Sequence, residues 1–368
     1  MRYFVTGATG FVGTVLVDRL VSNSHEVIAL TRDSTNARHL SESVTVIEGD
    51  ITDKGSMREA MDGVDGVFHL AAWYEIGPGP WNENTAERIN VDGTRNVLEL
   101  MDELEIPKGV YTSTVAVYGN TGGNYVDESY RSSNAFPTVY QQTKWRAHYE
   151  VAEPMMEDGL PLVIATLGAI YGPGDKDYGG TPRTAFQGHL EQDLSMVPDD
   201  FVLPWEYVED TAANLVRTMN DGTPGEEYII TSDPRSVAEV LHIIEDLTDI
   251  PVPRTVPGTF FYWLSRVVSV AEAATRPPEG LKVNCWSSSV AARFLLITRR
   301  PDRNWISSIG RWKKGCESTS NGKWSNWEWR CRQDEKRPRK ICSVSVYGLA
   351  KRTEKIFWSR SYVIRVVA

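Results

Sequence analysis

The 368 residues suffice for two domains, or for one large domain with a generous core. Hydrophobic residues at 41% and charged residues at 24% exclude wholesale disorder, and the lack of any run of about 18 apolar residues excludes a membrane-spanning helix. The net charge of −10 hides a division: residues 1–284 hold 20 Lys+Arg against 43 Asp+Glu, or −23, while residues 285–368 hold 19 against 6, or +13. The acidic part, with 5 lysines against 15 arginines, repels nucleic acid and suits either a high-salt cytoplasm or an ordinary acidic enzyme.

The chain starts "MRYFVTGATG", directly in a strand-like run and without the basic, apolar and small-residue order of a secretory signal, so a cytoplasmic location is expected. "RYFVTGATGFVGTVLVDRLV" reads as a strand, a glycine turn and a helix. "HEVIALTRD" and "VTVIEGD" are the second and third strands, a helix follows near 55–62, and "DGVFHLAAW" is the fourth. Residues 83–103 have helical periodicity, "KGVYTSTVAVYG" is a fifth strand with its exit loop, residues 138–158 are helical, and "LPLVIATLGAIYGPGD" is a sixth strand and loop. Strands alternating with helices imply a doubly wound parallel sheet, an α/β fold of the Rossmann kind. Beyond residue 172 the alternation loosens into a short strand and helix at 205–222, a strand "EEYIITSD" and an amphipathic helix "SVAEVLHIIEDLTD". The expected organisation is a dinucleotide-binding domain over 1–172, to which 204–221 returns, a mainly small substrate-binding domain over 173–284, and an atypical tail over 285–368.

Two features carry chemistry. Gly7, Gly10 and Gly13 in "TGATGFVG" lie between strand and helix. There Gly7 permits a tight turn, Gly10 a close backbone approach to a pyrophosphate and Gly13 close helix–strand packing, and the free amides at the helix start suit phosphate. Further on, "VYQQTKWRAH" puts Tyr140 four residues before Lys144, on one face of a helix.

"TGATGFVG", "GD" at 49–50, "HLAA" at 69–72, "INVDGTRNVLE" at 89–99, "TSTVAVYG" at 112–119, Tyr140-x-x-x-Lys144 and "YGPGD" at 171–175 occur in that order. Over residues 1 to about 284 the chain thereby resembles the extended short-chain dehydrogenase/reductase family, also called the NAD-dependent epimerase/dehydratase family. Its flavour is closest to dihydroflavonol-4-reductase-like members. The resemblance implies that Tyr140 is the catalytic acid/base, that Lys144 lowers its pKa and binds the nicotinamide ribose, and that Thr114 orients the substrate oxygen. An unperturbed phenol, with a pKa of about 10, needs such help near neutrality. The resemblance also implies cofactor contacts from Gly7, Thr9, Gly10, Phe11, Val12 and Gly13, from Asp50 and Ile51 at the adenine, and from Leu70, Ala71 and Ala72 beneath the ribose and pyrophosphate. Asn90 would order the active-site helix, and Leu167 and Gly168 would pass the nicotinamide amide. His69 reads as structural and His148 as a solvated helix residue. Helices 83–103 and 138–158 build a dimer in many relatives, which makes a homodimer an expectation.

At the end of the second strand Thr31 is followed by Arg32, which suits the 2′-phosphate of NADP, while Asp33, one residue on, would suit the 2′-hydroxyl of NAD. NADP is favoured over NAD. After Thr114 come Val115 and Ala116, neither an acid nor a base, which disfavours elimination chemistry. Where sugar-nucleotide epimerases carry a diphosphate-binding arginine, this chain has Leu203, near Trp205 and Tyr207, which suit either an apolar pocket or the core. The leading expectation is therefore hydride transfer to or from a small carbonyl or alcohol. A sugar or nucleotide-sugar epimerase is the alternative. A non-catalytic dinucleotide sensor comes third, because such proteins typically lose the Tyr or the Lys. The segment 258–274 suits an amphipathic helix covering the small domain better than a membrane-surface anchor.

The tail holds all four cysteines (Cys285, Cys316, Cys331, Cys342) and seven of the twelve tryptophans. With no C-x-x-C pair, no metal site is expected. A basic, aromatic composition also suits single-stranded nucleic acid, but a shift of reading frame near residue 285 accounts more simply for an abrupt change of composition that also leaves the family pattern. Limited proteolysis is expected to cut first after about residue 285 and to leave a nucleotide-binding fragment. A compact, protease-resistant tail would instead mark an added domain.

Overall fold

The computed structural model describes residues 1–74, 83–132, 136, 138–174, 181–232 and 234–260, together with the backbone of five short strands between 295 and 367. In chain order these give β1 (Arg2–Thr6), α1 (Phe11–Ser22), β2 (Glu26–Thr31), β3 (Thr45–Glu48), α2 (Lys54–Met61) and β4 (Gly66–His69). A long helical run follows, made of α3 (Glu83–Glu87), a π-helical turn at Arg88–Asp92 and α4 (Gly93–Glu103). Then come β5 (Gly109–Thr114), a 3-10 turn at Val115–Tyr118 and β6 (Tyr125–Val126). A second interrupted helix joins α5 (Val139–Arg146), a π-helical turn at Ala147–Ala152 and α6 (Glu153–Glu157). The remainder is β7 (Leu162–Leu167), β8 (Ala169–Tyr171), α7 (Thr181–Leu190), β9 (Met196–Pro198), β10 (Val202–Tyr207), α8 (Val208–Asp221), β11 (Glu227–Ile230), β12 (Pro234–Ser236), α9 (Val237–Thr248) and β13 (Arg254–Val256).

Seven strands form one sheet in the order β11-β7-β5-β4-β1-β2-β3, every adjacent pair parallel. This is the doubly wound α/β sheet that the alternation of strands and helices predicts. Burial on both faces explains the nearly unbroken apolar runs "YFV" and "LVIA" in β1 and β7. One face packs Phe4, Tyr111 and Ile164 against Met57, Leu98 and Val151; the other packs Val5, Val110 and Ala165 against Leu16, Leu20, Leu215 and Val216. The strand order reverses between β1 and β4, the place where open α/β sheets bind ligands.

A second, smaller unit contains the three-stranded sheet β12-β10-β8 and the pair β13-β9. Its core is Ala185, Val197, Phe201, Leu203, Trp205, Val237 and Leu241. α9 is fixed at its start by a capping box of Ser236 and Glu239, the S-x-x-E pattern of its sequence.

The sequence reading differs from this architecture at several places, among them the return of 204–221 to the large domain, which holds for α8 but not for β10. The segment "LPLVIATLGAIYGPGD", read as one strand and a loop, is two strands in two sheets, β7 and β8, parted at Gly168. A Cβ there would lie 2.4 Å from the Pro204 carbonyl oxygen, so only glycine lets the chain cross from one sheet to the other. Residues 227–230 fall in the stretch assigned mainly to the small domain but form β11, the edge strand of the large sheet. α8 packs against α1 on the large sheet, whereas β10, directly before it, pairs with β8.

In the tail, β14 (Leu295–Leu296) pairs with β6, β15 (Arg330–Gln333) with β16 (Lys340–Ser343), and β17 (Glu354–Trp358) with β18 (Val363–Val367). The expectations for the rest of the tail, for most of 258–274 and for Asp175 of "YGPGD" lie outside the described residues.

The turn after β1 is closely packed. A Cβ on Gly13 would stand 2.0 Å from the Gly7 carbonyl oxygen, a rigid backbone atom. Gly13→Ala is therefore expected to destabilise the protein by about 2–3 kcal/mol, the cost of overpacking a site that cannot relax. Urea unfolding of the variant checks this, and an unchanged midpoint would show that the turn yields.

Candidate active site

The crevice between β1 and β4 is walled by backbone. Gly7 has φ +70° and a Cβ on it would reach 2.7 Å from the Ala71 amide nitrogen, so the two strand ends nearly touch. The Ala71 amide donates to Thr6 Oγ1 at 3.1 Å and the Leu70 amide to Thr6 O at 3.2 Å. Thr9 is partly exposed in the turn, and Gly10 caps α1 without a side-chain bond. The first-turn amides, those of Phe11 and Val12 among them, are the donors that a helix start offers to an anion. Leu70 and Ala71 are half-buried along this crevice and Ala72 is exposed. Crowded glycines that a Cβ would fill, beside an uncapped helix start, fit a dinucleotide pyrophosphate.

Arg32 is exposed just past β2 and makes no hydrogen bond or ion pair among the described residues. Asp33 is engaged elsewhere: its carboxylate accepts from the Thr35 amide at 2.8 Å, which caps the short turn Ser34–Ala37 and holds the carboxyl below its ordinary range. Asp50 caps its own loop by accepting from the Thr52 amide at 2.9 Å. Ile51, expected beside the adenine, lies directly after Asp50. It is buried in the core, where a Cβ on Gly93 would come within 2.6 Å of its side chain, because α4 needs that apolar contact to lie on the sheet. Leu167 is likewise a core residue at the end of β7, and Gly168 marks the crossing described above.

Tyr140, Lys144 and Thr114 come together at the carboxyl end of β5. Thr138 caps α5 by accepting from the Gln141 amide at 3.2 Å, which fixes the first turn where Tyr140 stands. Burial pushes the Tyr140 phenol up to about 12, and a hydrogen bond with Thr114 works the other way. The Tyr74 ring meets the Tyr140 ring edge-on at 4.8 Å. Lys144, only 3% exposed, is not aimed at Tyr140: its Nζ donates to the Thr112 carbonyl oxygen at 2.9 Å and to the Tyr111 hydroxyl at 3.0 Å, above that ring. Burial lowers the Lys144 pKa to about 7. The expected depression of the tyrosine pKa by this lysine is thus not present in the protein alone, where burial of the phenol dominates.

Asn90, in the first π-helical turn, is wholly engaged within the protein. Its Oδ1 accepts from the Trp73 amide at 2.7 Å, and its Nδ2 donates to Trp73 O at 3.1 Å and Thr143 Oγ1 at 2.9 Å. It therefore braces the active-site helix against the segment after β4. His69 is structural, as read: it is buried between Thr6 Oγ1 at 2.7 Å and Thr94 Oγ1 at 3.0 Å, and burial lowers its pKa to about 3. Trp205 is a core residue, 5% exposed, stacked on Phe186, with Nε1 donating to Arg235 O at 2.9 Å. His148 is a clear correction. Far from solvated, it is fully buried, with Nδ1 2.7 Å from Ser113 Oγ. Helical spacing from Lys144 could have found it, since position i+4 shares the buried face. Nothing local in the sequence points to its neighbour Glu227, on β11.

A model of the "NAD dependent epimerase/dehydratase family" matches residues 3–231. This chain belongs to that family. With membership comes the class: an NAD(P)-dependent enzyme of the reductase, dehydrogenase or epimerase type. The chain is 30% identical to a candidate dihydroflavonol 4-reductase of Synechocystis sp., over 77% of this chain and 84% of that relative. It is 28% identical to 2-alkyl-3-oxoalkanoate reductase of Shewanella oneidensis, over 73% and 72% respectively. The UDP-glucose 4-epimerase of Thermus thermophilus, solved in complex with NAD, shares the fold with a TM-score of 0.60 at 23% identity, over 70% of this chain and 86% of that one. Among the described residues no helix is long and apolar enough to cross a membrane, and no group of three or more His, Cys, Asp or Glu side chains is placed to hold a metal ion.

The depressed pKa of Lys144 links stability to pH. The folded chain loses this proton near pH 7, whereas an unfolded lysine holds it to about pH 10.4. Between those values the unfolded state binds more protons, so stability rises with pH, by up to about 1.4 kcal/mol per unit from this group. Urea unfolding of wild type and Lys144→Met at pH 6.5, 8 and 9.5 is expected to show the wild type gaining on the variant as pH rises. Parallel slopes would show that the ammonium is solvated.

Proposed function

We propose that this protein is an NADP-dependent oxidoreductase that interconverts a small carbonyl compound and its alcohol, with Tyr140 as the acid/base. The observation that carries this reading is the hydroxyl pair Tyr140–Thr114 at the carboxyl end of β5, the strand beside β4, with Lys144 one helical turn from Tyr140. A bound nicotinamide dinucleotide supplies or accepts the hydride. The glycine turn and the start of α1 would hold its pyrophosphate, Asp50 its adenine side, Arg32 the 2′-phosphate and Lys144 the nicotinamide ribose. Thr114 then orients the substrate oxygen, and Tyr140 passes a proton to it or takes one from it. Burial raises the pKa of the phenol, so Tyr140 carries the proton that the reduction of a carbonyl requires.

Arg32 supports the phosphorylated cofactor because its side chain is exposed and bonds none of the described residues, whereas the competing Asp33 is occupied as a cap. Leu203 supports a reductase over a nucleotide-sugar epimerase: it is buried in the small core and offers no cation to a diphosphate. The two reductases named above are relatives in keeping with this reading. The cytoplasm remains the proposed location.

Tyr140→Phe is expected to lower kcat at least about 100-fold while leaving NADPH affinity nearly intact, since only the proton donor is lost. Steady-state assays on a panel of aldehydes, ketones and UDP-sugars, with NADPH fluorescence titration alongside, check both halves. Unchanged turnover would overturn the acid/base assignment, absence of turnover by the wild type across the whole panel would favour the sensor reading, and activity confined to UDP-sugars the epimerase reading. Arg32→Ala is expected to weaken NADPH binding by about 10- to 150-fold and NADH binding little, because a charge-assisted contact to phosphate is worth about 1.5–3 kcal/mol. Equal losses in titrations with the two cofactors would refute the assignment to NADP.

A further inference from the structure

The catalytic helix meets β5 through two rungs. Tyr111 and Ser113 are two apart on the strand and point to the same face; Lys144 and His148 are four apart on the helix and do likewise. Strand positions i and i+2 are about 6.7 Å apart and helix positions i and i+4 about 6 Å, so the two spacings match. The first rung is Lys144 Nζ to Tyr111 Oη at 3.0 Å, the second His148 Nδ1 to Ser113 Oγ at 2.7 Å.

The second rung is held from behind by Glu227. Its Oε2 faces His148 Nε2 at 3.6 Å, a contact longer than a hydrogen bond that leaves this buried nitrogen with the carboxylate as its polar neighbour. Its Oε1 accepts from Thr166 Oγ1 at 2.6 Å and from the Tyr118 hydroxyl at 2.7 Å. One carboxylate thus gathers β7, β11, the catalytic helix and the 3-10 turn after β5. Burial opposes its ionisation, but the neighbouring His148 ring and the hydroxyls of Thr166 and Tyr118 hold the carboxyl below its ordinary range. Thr114 sits inside this bracket, between Ser113, which bonds His148, and Tyr118, which bonds Glu227.

A serine, histidine and glutamate in contact also suggest a hydrolytic nucleophile. That reading fails on access, because Ser113 is 3% and His148 0% exposed, and no substrate carbonyl could reach the serine oxygen.

We propose that Glu227, His148 and Ser113 form a positioning clamp that sets the register of the Tyr140 helix on β5, and with it the distance between the Tyr140 and Thr114 hydroxyls. The proposal rests on the reading of that pair as the acid/base site. None of the three residues touches substrate; each acts through the placement of Tyr140 and Thr114, and placement errors of ångström size are costly in a proton-transfer site.

Ser113→Ala and Glu227→Gln, both close in size to the native side chains, test it in the full-length protein. Each is expected to lower kcat about tenfold with the carbonyl substrate that turns over fastest with NADPH, with KM and the NADPH Kd changed less than about twofold. The double variant is expected to be no slower than the slower single variant, because the residues act as one unit. Hydrogen exchange of the amides of 139–152 is expected to quicken in both variants while the amides of β1 and β2 keep their rates. Unchanged kcat in both, an NADPH Kd that rises in step with the loss of kcat, or additive losses in the double variant would each overturn the clamp. Tyr140→Phe run in parallel separates the two ideas. Wild-type turnover in that variant would sink the acid/base reading, whereas the clamp would still stand or fall on the exchange rates of 139–152.

Discussion

Taking the Lys144 ammonium out of water is costly, and two oxygens offset that cost: the carbonyl of Thr112 and the hydroxyl of Tyr111. Both belong to β5, so the lysine nitrogen meets its two partners only if the helix carrying it lies in one register on that strand. Tyr140, one turn earlier, is then placed beside Thr114 as a consequence. The two helices flanking the site are both interrupted. π-helical turns at Arg88–Asp92 and Ala147–Ala152 shift the helix phase locally, and Asn90 and His148 lie within them, reaching Thr143 and Ser113.

The crevice itself follows from a different constraint, the handedness of parallel connections. Right-handed crossovers send the chain to one side after β1 and to the other after β3, so β1 and β4 become neighbours whose exits diverge. At that divergence the backbone of Gly7 and that of Ala71 approach too closely for a side chain. A second crowded glycine, Gly168, lets the chain leave the large sheet for the small one within a single residue. The wall made from backbone and the hydroxyl pair beside it are therefore built by neighbouring strand ends of one rigid sheet.

Burial acts on the site's two ionisable groups in opposite senses. It keeps Tyr140 protonated and makes Lys144 a reluctant cation. A positively charged nicotinamide ring near the phenol would favour its ionised form, so the proton affinity of Tyr140 is set jointly by the protein and by the oxidation state of whatever the crevice binds.

The sequence by itself determined the main architecture and the address of the site. Periodicity marked the strands and helices of the large sheet because burial on both faces writes unbroken apolar strands and amphipathic helices. The glycines at 7, 10 and 13 and the Tyr140–Lys144 spacing were legible because their geometry is local, a turn and a single helical step. Tertiary structure alone decided what depends on contacts between distant residues. Ile51 went to the core because α4 covers it, and β7 and β8 split because the Pro204 backbone lies against Gly168. Lys144 turned to β5 instead of Tyr140 because a buried ammonium follows its nearest acceptors. His148 was buried, and Glu227 brought to it from 79 positions away in the chain, by the pairing of β11 with β7. No local pattern encodes that meeting, because strand pairing joins residues by register across the sheet and not by their separation along the chain.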